Sequence, residues 1–265
     1  MFGYIRKRSM PQWDAEAYLK FAGERTQPSL DLIHRINLPD PRRIIDLGCG
    51  PGNSTEALKR RWLHASVTGL DNSPEMIDAA RRAYPNGTWI VDDASSWKAD
   101  APFDLVFSNA MLHWVPDHLT LCRHLLDQVA PGGALAVQVP AHYNSALHRE
   151  IMAASQDSAW RDRLAPARDA FTKEPPEFYF DLFSPIASRL DLWETTYYHV
   201  VDGPEAVIEW FRGSGLRPFL QALRDDEERG RFEKGLLARY AKSYARRASG
   251  KSLFPFRRLF FVAYR

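Results

Sequence analysis

The sequence predicts a doubly wound α/β fold, a mostly parallel sheet with helices on both faces. Three observations carry that expectation. From Arg43 to Val139 short apolar runs alternate with amphipathic stretches, the pattern of right-handed βαβ units. The first run ends in an acid and a turn with glycine at alternate positions, Asp46-Leu47-Gly48-Cys49-Gly50-Pro51-Gly52-Asn53-Ser54, which opens a helix. The second run ends in another acid, Asp71.

Taken in order, the runs Arg43–Leu47, Ser66–Asp71, Thr88–Asp92, Phe103–Ser108 and Ala134–Val139 read as strands. Asn53–Trp62, Pro74–Ala83 and Asp117–Ala130 read as the helices between them. Asn53 with Glu56 resembles a capping box, and Ser73 before Pro74 reads as an N-cap before a helix-starting proline. Pro131-Gly132-Gly133 should end a helix. Ahead of this core, Trp13–Phe21 reads as a short helix, and Gln27-Pro28 should open a second one running to Ile36. Beyond Val139, residues 144–156 look helical and 157–190 irregular. Leu190–Val201 reads as a strand, 203–248 as helical with a break at Gly213–Pro218, and Phe256–Tyr264 as a final strand. Helices inserted here would lie over the carboxyl ends of the sheet, where open α/β sheets bind ligands, and are expected to form a lid.

The 265 residues suit one domain over 13–265, with 1–12 as an N-terminal extension and lid elements at 13–27, 144–190 and 203–250. Two cysteines, Cys49 and Cys122, argue for a reducing compartment, hence the cytoplasm, and against a cysteine-rich metal site. A net charge of +2, with basic runs short and scattered, argues against a nucleic-acid partner. Without a run of about 18 apolar residues, no membrane span is expected.

The glycine spacing is Gly-x-Gly-x-Gly rather than the Gly-x-Gly-x-x-Gly of dinucleotide folds, which weighs against an NAD-dependent oxidoreductase. Glycines let a ligand approach main-chain groups that a Cβ would shield. Asp71 stands where a carboxylate can accept two hydrogen bonds from a ribose diol. Asp46 and the loop suit a ligand with an ammonium tail, as the methionine part of S-adenosylmethionine has. Asp93, after the third strand, could take a hydrogen bond from an adenine amino group. The segment Asn109-Ala110-Met111-Leu112-His113-Trp114 should lie beside the sulfonium, at the sheet's carboxyl edge. The cofactor set is then Asp46, Gly48, Cys49, Gly50, Asn53, Asp71, Asn72, Ser73, Asp93, Ala94 and Asn109, with Arg25 closing over them. Cys49 reads as a small filler, not a nucleophile. The histidines lack metal-ligand spacing, so no metal is expected.

These residues resemble class I methyltransferases, and other segments carry the likeness further. Trp13-Asp14, Tyr18-Leu19-Lys20-Phe21, Glu24-Arg25, Asn109-Ala110, Trp114 and Pro116-Asp117-His118 resemble the bacterial trans-aconitate 2-methyltransferase family. So do Trp193-Glu194-Thr195-Thr196-Tyr197-Tyr198-His199, Gly215-Leu216-Arg217-Pro218 and Arg258-Leu259-Phe260. The resemblance implies the Rossmann-like class I methyltransferase fold, a mostly parallel seven-stranded sheet with a helical lid insertion. It also implies methyl transfer from S-adenosylmethionine to a carboxylate of trans-aconitate, giving a monomethyl ester. A carboxylate is ionised at neutral pH, so no catalytic base is expected, only positioning. A trianionic acid needs cations and donors. Tyr18, His113, Trp114, Tyr197, Tyr198, Arg217, Arg257 and Arg258 are the substrate-site candidates. Thr195, Tyr197 and His199 face one way on their strand and Thr196 and Tyr198 the other, so at most one set faces the site. Two other readings stay open: an O-methyltransferase for another small acid, such as a malonyl thioester, and a non-catalytic S-adenosylmethionine-binding module.

Overall fold

The computed structural model describes residues 22–265. The predicted helix Trp13–Phe21, Tyr18 within it, and the side chain of Arg25 lie outside the described residues. One sheet organises the chain, built from β1 (Arg43–Leu47), β2 (Ser66–Asp71), β3 (Thr88–Val91), β4 (Phe103–Asn109), β5 (Val129–Pro140), β6 (Arg189–Val201) and β7 (Ser252–Tyr264). Among the described residues the sheet has seven strands, in the order β3-β2-β1-β4-β5-β7-β6. The first five pair parallel, and β7 runs antiparallel to both β5 and β6. The sheet is therefore mixed, mostly parallel with one reversed strand.

The helices are α1 (Ala22–Arg35), α2 (Asn53–Arg61), α3 (Pro74–Ala83), α4 (His118–Asp127), α5 (Ala146–Ala154), α6 (Ala165–Arg168), α7 (Pro176–Phe183), α8 (Pro204–Arg212), α9 (Arg217–Ala222) and α10 (Asp226–Ser243). Alternation along the strands splits the core into two layers. Ile45, Leu47, Val106, Val137, Leu259 and Phe261 pack with Leu121 and Leu125 of α4 and Tyr179 and Phe183 of α7. Ile44, Leu105, Phe107, Ala136, Phe260 and Val262 pack on the opposite face with Leu32 and Ile33 of α1 and Leu58 of α2.

A third core joins α5, α6, α8, α9 and α10 to Phe254 and Phe256 of β7. Pro140, the last residue of β5, pairs with Arg258. Phe254 and Phe256 therefore stand beyond the carboxyl end of β5, and this helical layer is built on that extension. Among the described residues no helix is long and apolar enough to cross a membrane.

Several expected boundaries move for local reasons. α1 begins at Ala22 rather than at Gln27, with Pro28 inside it. Gly52, not Asn53, caps α2, because its left-handed φ of 94° turns the chain into the helix and its carbonyl takes the Glu56 amide. The Asn53–Glu56 capping box does not form. Ser73 does cap α3, its hydroxyl accepting the Met76 amide. Helix α4 ends at Asp127, and Pro131-Gly132-Gly133 is not its terminator but a bulge inside β5. There the Gly132 amide donates to the Arg265 carbonyl and the Arg265 amide to Gly133. The stretch 157–190 is less irregular than expected, holding α6 and α7, the latter started by Pro175-Pro176. β7 starts four residues earlier than the run Phe256–Tyr264, at Ser252.

Candidate active site

The loop between β1 and α2 is stitched to the tip of β2. The amides of Gly48 and Cys49 donate to the Leu70 carbonyl at 2.7 and 3.1 Å. Asp71 accepts the Gly50 amide on one carboxylate oxygen and the Ser73 amide on the other, each at 2.9 Å. Capping these amides leaves lone pairs on both oxygens, since a carboxylate offers about four acceptor sites. Burial pushes the Asp71 carboxyl up, and the Ser73 and Gly50 amides oppose that shift.

Asp46 is fully buried on the α1 side of β1. One oxygen accepts the hydroxyls of Ser54 at 2.6 Å and Thr55 at 2.7 Å, while the other has no partner. Burial raises its carboxyl to about 6, against the lowering effect of the two hydroxyls. A buried acid with one bare oxygen is costly unless a cation meets it. Cys49 is a buried residue of the same loop. Burial first, then the charges of Asp46 and Asp71, push its thiol far up, which suits the filler role and not a nucleophile.

Gly48 and Gly50 both hold left-handed backbone, φ 70° and 55°. A Cβ on Gly48 would sit 2.3 Å from Cγ of Met111, whereas one on Gly50 would meet nothing within 4 Å. The open side of Gly50 is where a ligand can reach the main chain. Gly48→Ala should therefore cost about 2–3 kcal/mol of stability, from backbone strain plus displacement of Met111, and Gly50→Ala only about 1 kcal/mol. Urea denaturation of the two variants tests this; equal losses would contradict it.

The end of β4 is strained in a way the sequence does not announce. Ala110 has a φ of 58°, held by its amide donating to the Gln138 carbonyl at 2.9 Å. Asn109 leaves its side-chain oxygen buried without a partner, and both amide atoms of Gln138, a fully buried residue, are likewise unpartnered. Asn109 pairs with Gln138 across β4 and β5. By strand parity Asp46, Asn109, Gln138 and Arg258 all point to the α1 face, with Ile44, Phe107, Ala136 and Phe260. A row of polar groups thus crosses β1, β4, β5 and β7 near the carboxyl edge. It begins at a buried acid and ends at Arg258, only 6% exposed, whose guanidinium lies 4.3 Å over the Phe256 ring.

His113 and Trp114 are buried against Phe171, with ring separations of 5.9 and 4.7 Å. Nδ1 of His113 is buried without a partner, and burial, aided by Arg258 and His118, lowers its pKa to about 3, so it is neutral. His118 belongs to the core. Its ring bonds the Tyr179 hydroxyl at 2.6 Å and the Leu112 carbonyl at 2.8 Å, fixing the turn that carries His113.

Some expected site residues part company. Arg257 faces away from Arg258, because successive strand residues point to opposite faces. It is spent on the Ala141 carbonyl at 2.9 Å and Glu194 at 3.3 Å. Tyr198 is 63% exposed on the edge strand, while Tyr197, half-buried beside α1, donates its hydroxyl to Asp31. Tyr198 and Arg257 are thus not brought to the row. Asp93 is exposed and caps a turn, accepting both the amide and the hydroxyl of Ser95. Asn72 is exposed next to Asp71, Ala94 is buried, and Arg217 is half-buried at the start of α9. Arg25 lies in the first turn of α1. Gln138 went unread in the sequence, although a glutamine inside the apolar run Ala134–Val139 is itself a signal. Among the described residues no group of three or more His, Cys, Asp or Glu could hold a metal ion.

The chain matches a family model described as a methyltransferase domain over residues 44–133. It is 46% identical over 259 residues to a trans-aconitate 2-methyltransferase of Azoarcus sp. (strain BH72), covering 97% of this chain and 100% of that one. With the enzyme of that name from Rhodopseudomonas palustris (strain BisA53) it shares 44% over 257 residues, covering 96% and 99%. A solved phosphoethanolamine N-methyltransferase 2 of Haemonchus contortus, in complex with S-adenosyl-L-methionine, superposes with a TM-score of 0.58 at 15% identity. That match spans 94% of this chain and 56% of the other, and it shows the fold alone. With near-full-length relatives this similar, the glycine loop, the two acidic strand tips and the seven-stranded sheet have one family behind them: the chain belongs to the trans-aconitate 2-methyltransferase family, within the class I methyltransferases.

Proposed function

We propose that this protein transfers the methyl group of S-adenosylmethionine to a carboxylate of trans-aconitate, giving a monomethyl ester. The observation that carries the reading is the charge order of the buried row: an acid at Asp46, amides at Asn109 and Gln138, a guanidinium at Arg258. A cationic methyl donor and an anionic acceptor each find the opposite charge at their own end. The relatives named above support the choice of acid.

The donor's residues fit the group. The bare oxygen of Asp46 can take an ammonium, the spare lone pairs of Asp71 a ribose diol, and the open face of Gly50 a close approach to backbone. Asn72, Ser73, Asp93 and Ala94 flank the tips of β2 and β3, where the sugar and base belong. When bound, S-adenosylmethionine supplies a methyl on positively charged sulfur, which an ionised carboxylate oxygen displaces with no proton to remove. The chain's own task is positioning. Arg258, with the Gln138 amide and neutral His113 nearby, holds the acid on the α1 face, and holding reactants in line can supply about 7–11 kcal/mol. Arg25 and the helical layer over β7 act as the lid that excludes water. Two free, buried cysteines accord with a cytoplasmic setting.

Methyl-labelled S-adenosylmethionine offered with trans-aconitate, cis-aconitate, citrate and a malonyl thioester tests the proposal. Labelled trans-aconitate ester should dominate. Label in the thioester alone, or donor binding with no turnover on any acid, would overturn it.

A further inference from the structure

Beyond the row, three basic side chains from separate parts of the chain come together. Nζ of Lys173, before α7, donates to Nε2 of His148 on α5 across 2.9 Å. The His148 ring lies 6.2 Å from that of His142, in the loop after β5. His142 packs 4.9 Å from Phe256, the ring that carries Arg258 at 4.3 Å. The Thr172 amide donates to the His113 carbonyl at 2.8 Å, so Lys173 is anchored beside His113. Nδ1 of His142, like that of His113, is buried without a partner.

This arrangement is unfavourable as it stands. A half-buried ammonium usually meets a carboxylate. Among the described residues Lys173 forms no ion pair, and its hydrogen-bond partner is a neutral imidazole. Burial lowers the pKa of Lys173 and outweighs the opposing charge of Asp169. Burial and then Lys173 hold His148 down to about 4; burial, His148, His113, Arg258 and Lys173 all depress His142. A half-buried ammonium whose neighbours are neutral imidazoles has no ion-pair partner among the described residues, and an incoming anion would supply one.

We infer that Lys173, His148 and His142 form the subsite for the carboxylates remote from the one being methylated, with Arg258 between them and the row. The inference rests on the acid methyl transfer proposed above. It adds that the polyanionic character of the acceptor is read by residues outside the glycine loop and outside β6. A tricarboxylate would span from Arg258 to Lys173, its carboxylates meeting the guanidinium and the ammonium and accepting hydrogen bonds from the imidazoles.

The test compares kcat and KM for trans-aconitate in wild-type protein and in Lys173→Ala, Lys173→Arg and His148→Ala, with the Kd of S-adenosylhomocysteine as a check on folding. Lys173→Ala should raise KM by about 30- to 100-fold with kcat within about threefold, the effect of losing a charge-assisted contact made equally in ground and transition states. Lys173→Arg should recover most of that loss, and His148→Ala should fall between. Unchanged KM in both alanine variants, with donor binding intact, would overturn the subsite while leaving the methyl transfer standing. Should the wild type not methylate trans-aconitate, calorimetry with citrate and trans-aconitate separates the two ideas. Tricarboxylate binding that depends on Lys173 would keep the subsite and discard the substrate; no tricarboxylate binding to wild type would discard the subsite as well.

Discussion

Replacing Asp46 by asparagine should weaken S-adenosylhomocysteine binding by about 10²- to 10³-fold, because a close charge pair near a protein surface contributes on the order of 4 kcal/mol. Asparagine keeps an oxygen for the Ser54 and Thr55 hydroxyls and leaves the bare position uncharged. The pH dependence should change with it. Burial lifts the Asp46 carboxyl from its usual 3.8 to about 6, so the folded, ligand-free protein holds this proton more tightly than the unfolded chain. Stability from this group is therefore present below about pH 4 and is lost as pH rises toward 6, a change of roughly 3 kcal/mol. The asparagine variant should lack that slope and be the more stable protein at pH 7 without ligand. Donor binding runs the other way. An ammonium needs the ionised acid, so wild-type affinity should fall about tenfold per pH unit below pH 6, and the variant's should not. Calorimetry and thermal melts from pH 4 to 8 read both. Equal affinity in the two proteins at pH 7 would remove Asp46 from the donor site.

The second large effect belongs to Arg258. Arg258→Met should lower kcat/KM for trans-aconitate by about 10³-fold, the same electrostatic scale applied to the acceptor. Arg258→Lys should recover only part, since a guanidinium grips a carboxylate bidentately and an ammonium does not. The adjacent Arg257 supplies the control. On the opposite face, bound to Ala141 and Glu194, its replacement by methionine should change kcat/KM by less than about threefold. Donor affinity should be unchanged in all three variants, and comparable losses at both arginines would show that strand parity does not organise the site.

The donor half of this site was legible in the sequence because its chemistry is local. A strand, an acid, a turn needing left-handed backbone and a helix follow one another within a dozen residues, and apolar alternation marks the strand faces. Ser73 caps its helix ahead of Pro74, and Tyr197 and Tyr198 alternate in burial along β6, both of which follow from local sequence. Pro131-Gly132-Gly133 misled because the feature that makes it a bulge is the chain's last residue, Arg265, far away in sequence. The acceptor half depends on register. Which of Arg257 and Arg258 points inward follows from the pairing of Pro140 with Arg258, and no local pattern gives that. Lys173, His148 and His142 meet only because α5, the loop after β5 and the segment before α7 come together beside Phe256 in the folded chain. Histidines and lysines scattered along a chain carry no such signal.

A crystal structure with S-adenosylhomocysteine and trans-aconitate together would test the central claim most directly, by the positions of two groups. The amino nitrogen of the donor product should stand within hydrogen-bond distance of the bare Asp46 oxygen, and a carboxylate of the acid should lie on the guanidinium of Arg258, on the α1 face. An amino group turned away from Asp46, or an acid bound on the Arg257 side of the sheet, would contradict the account.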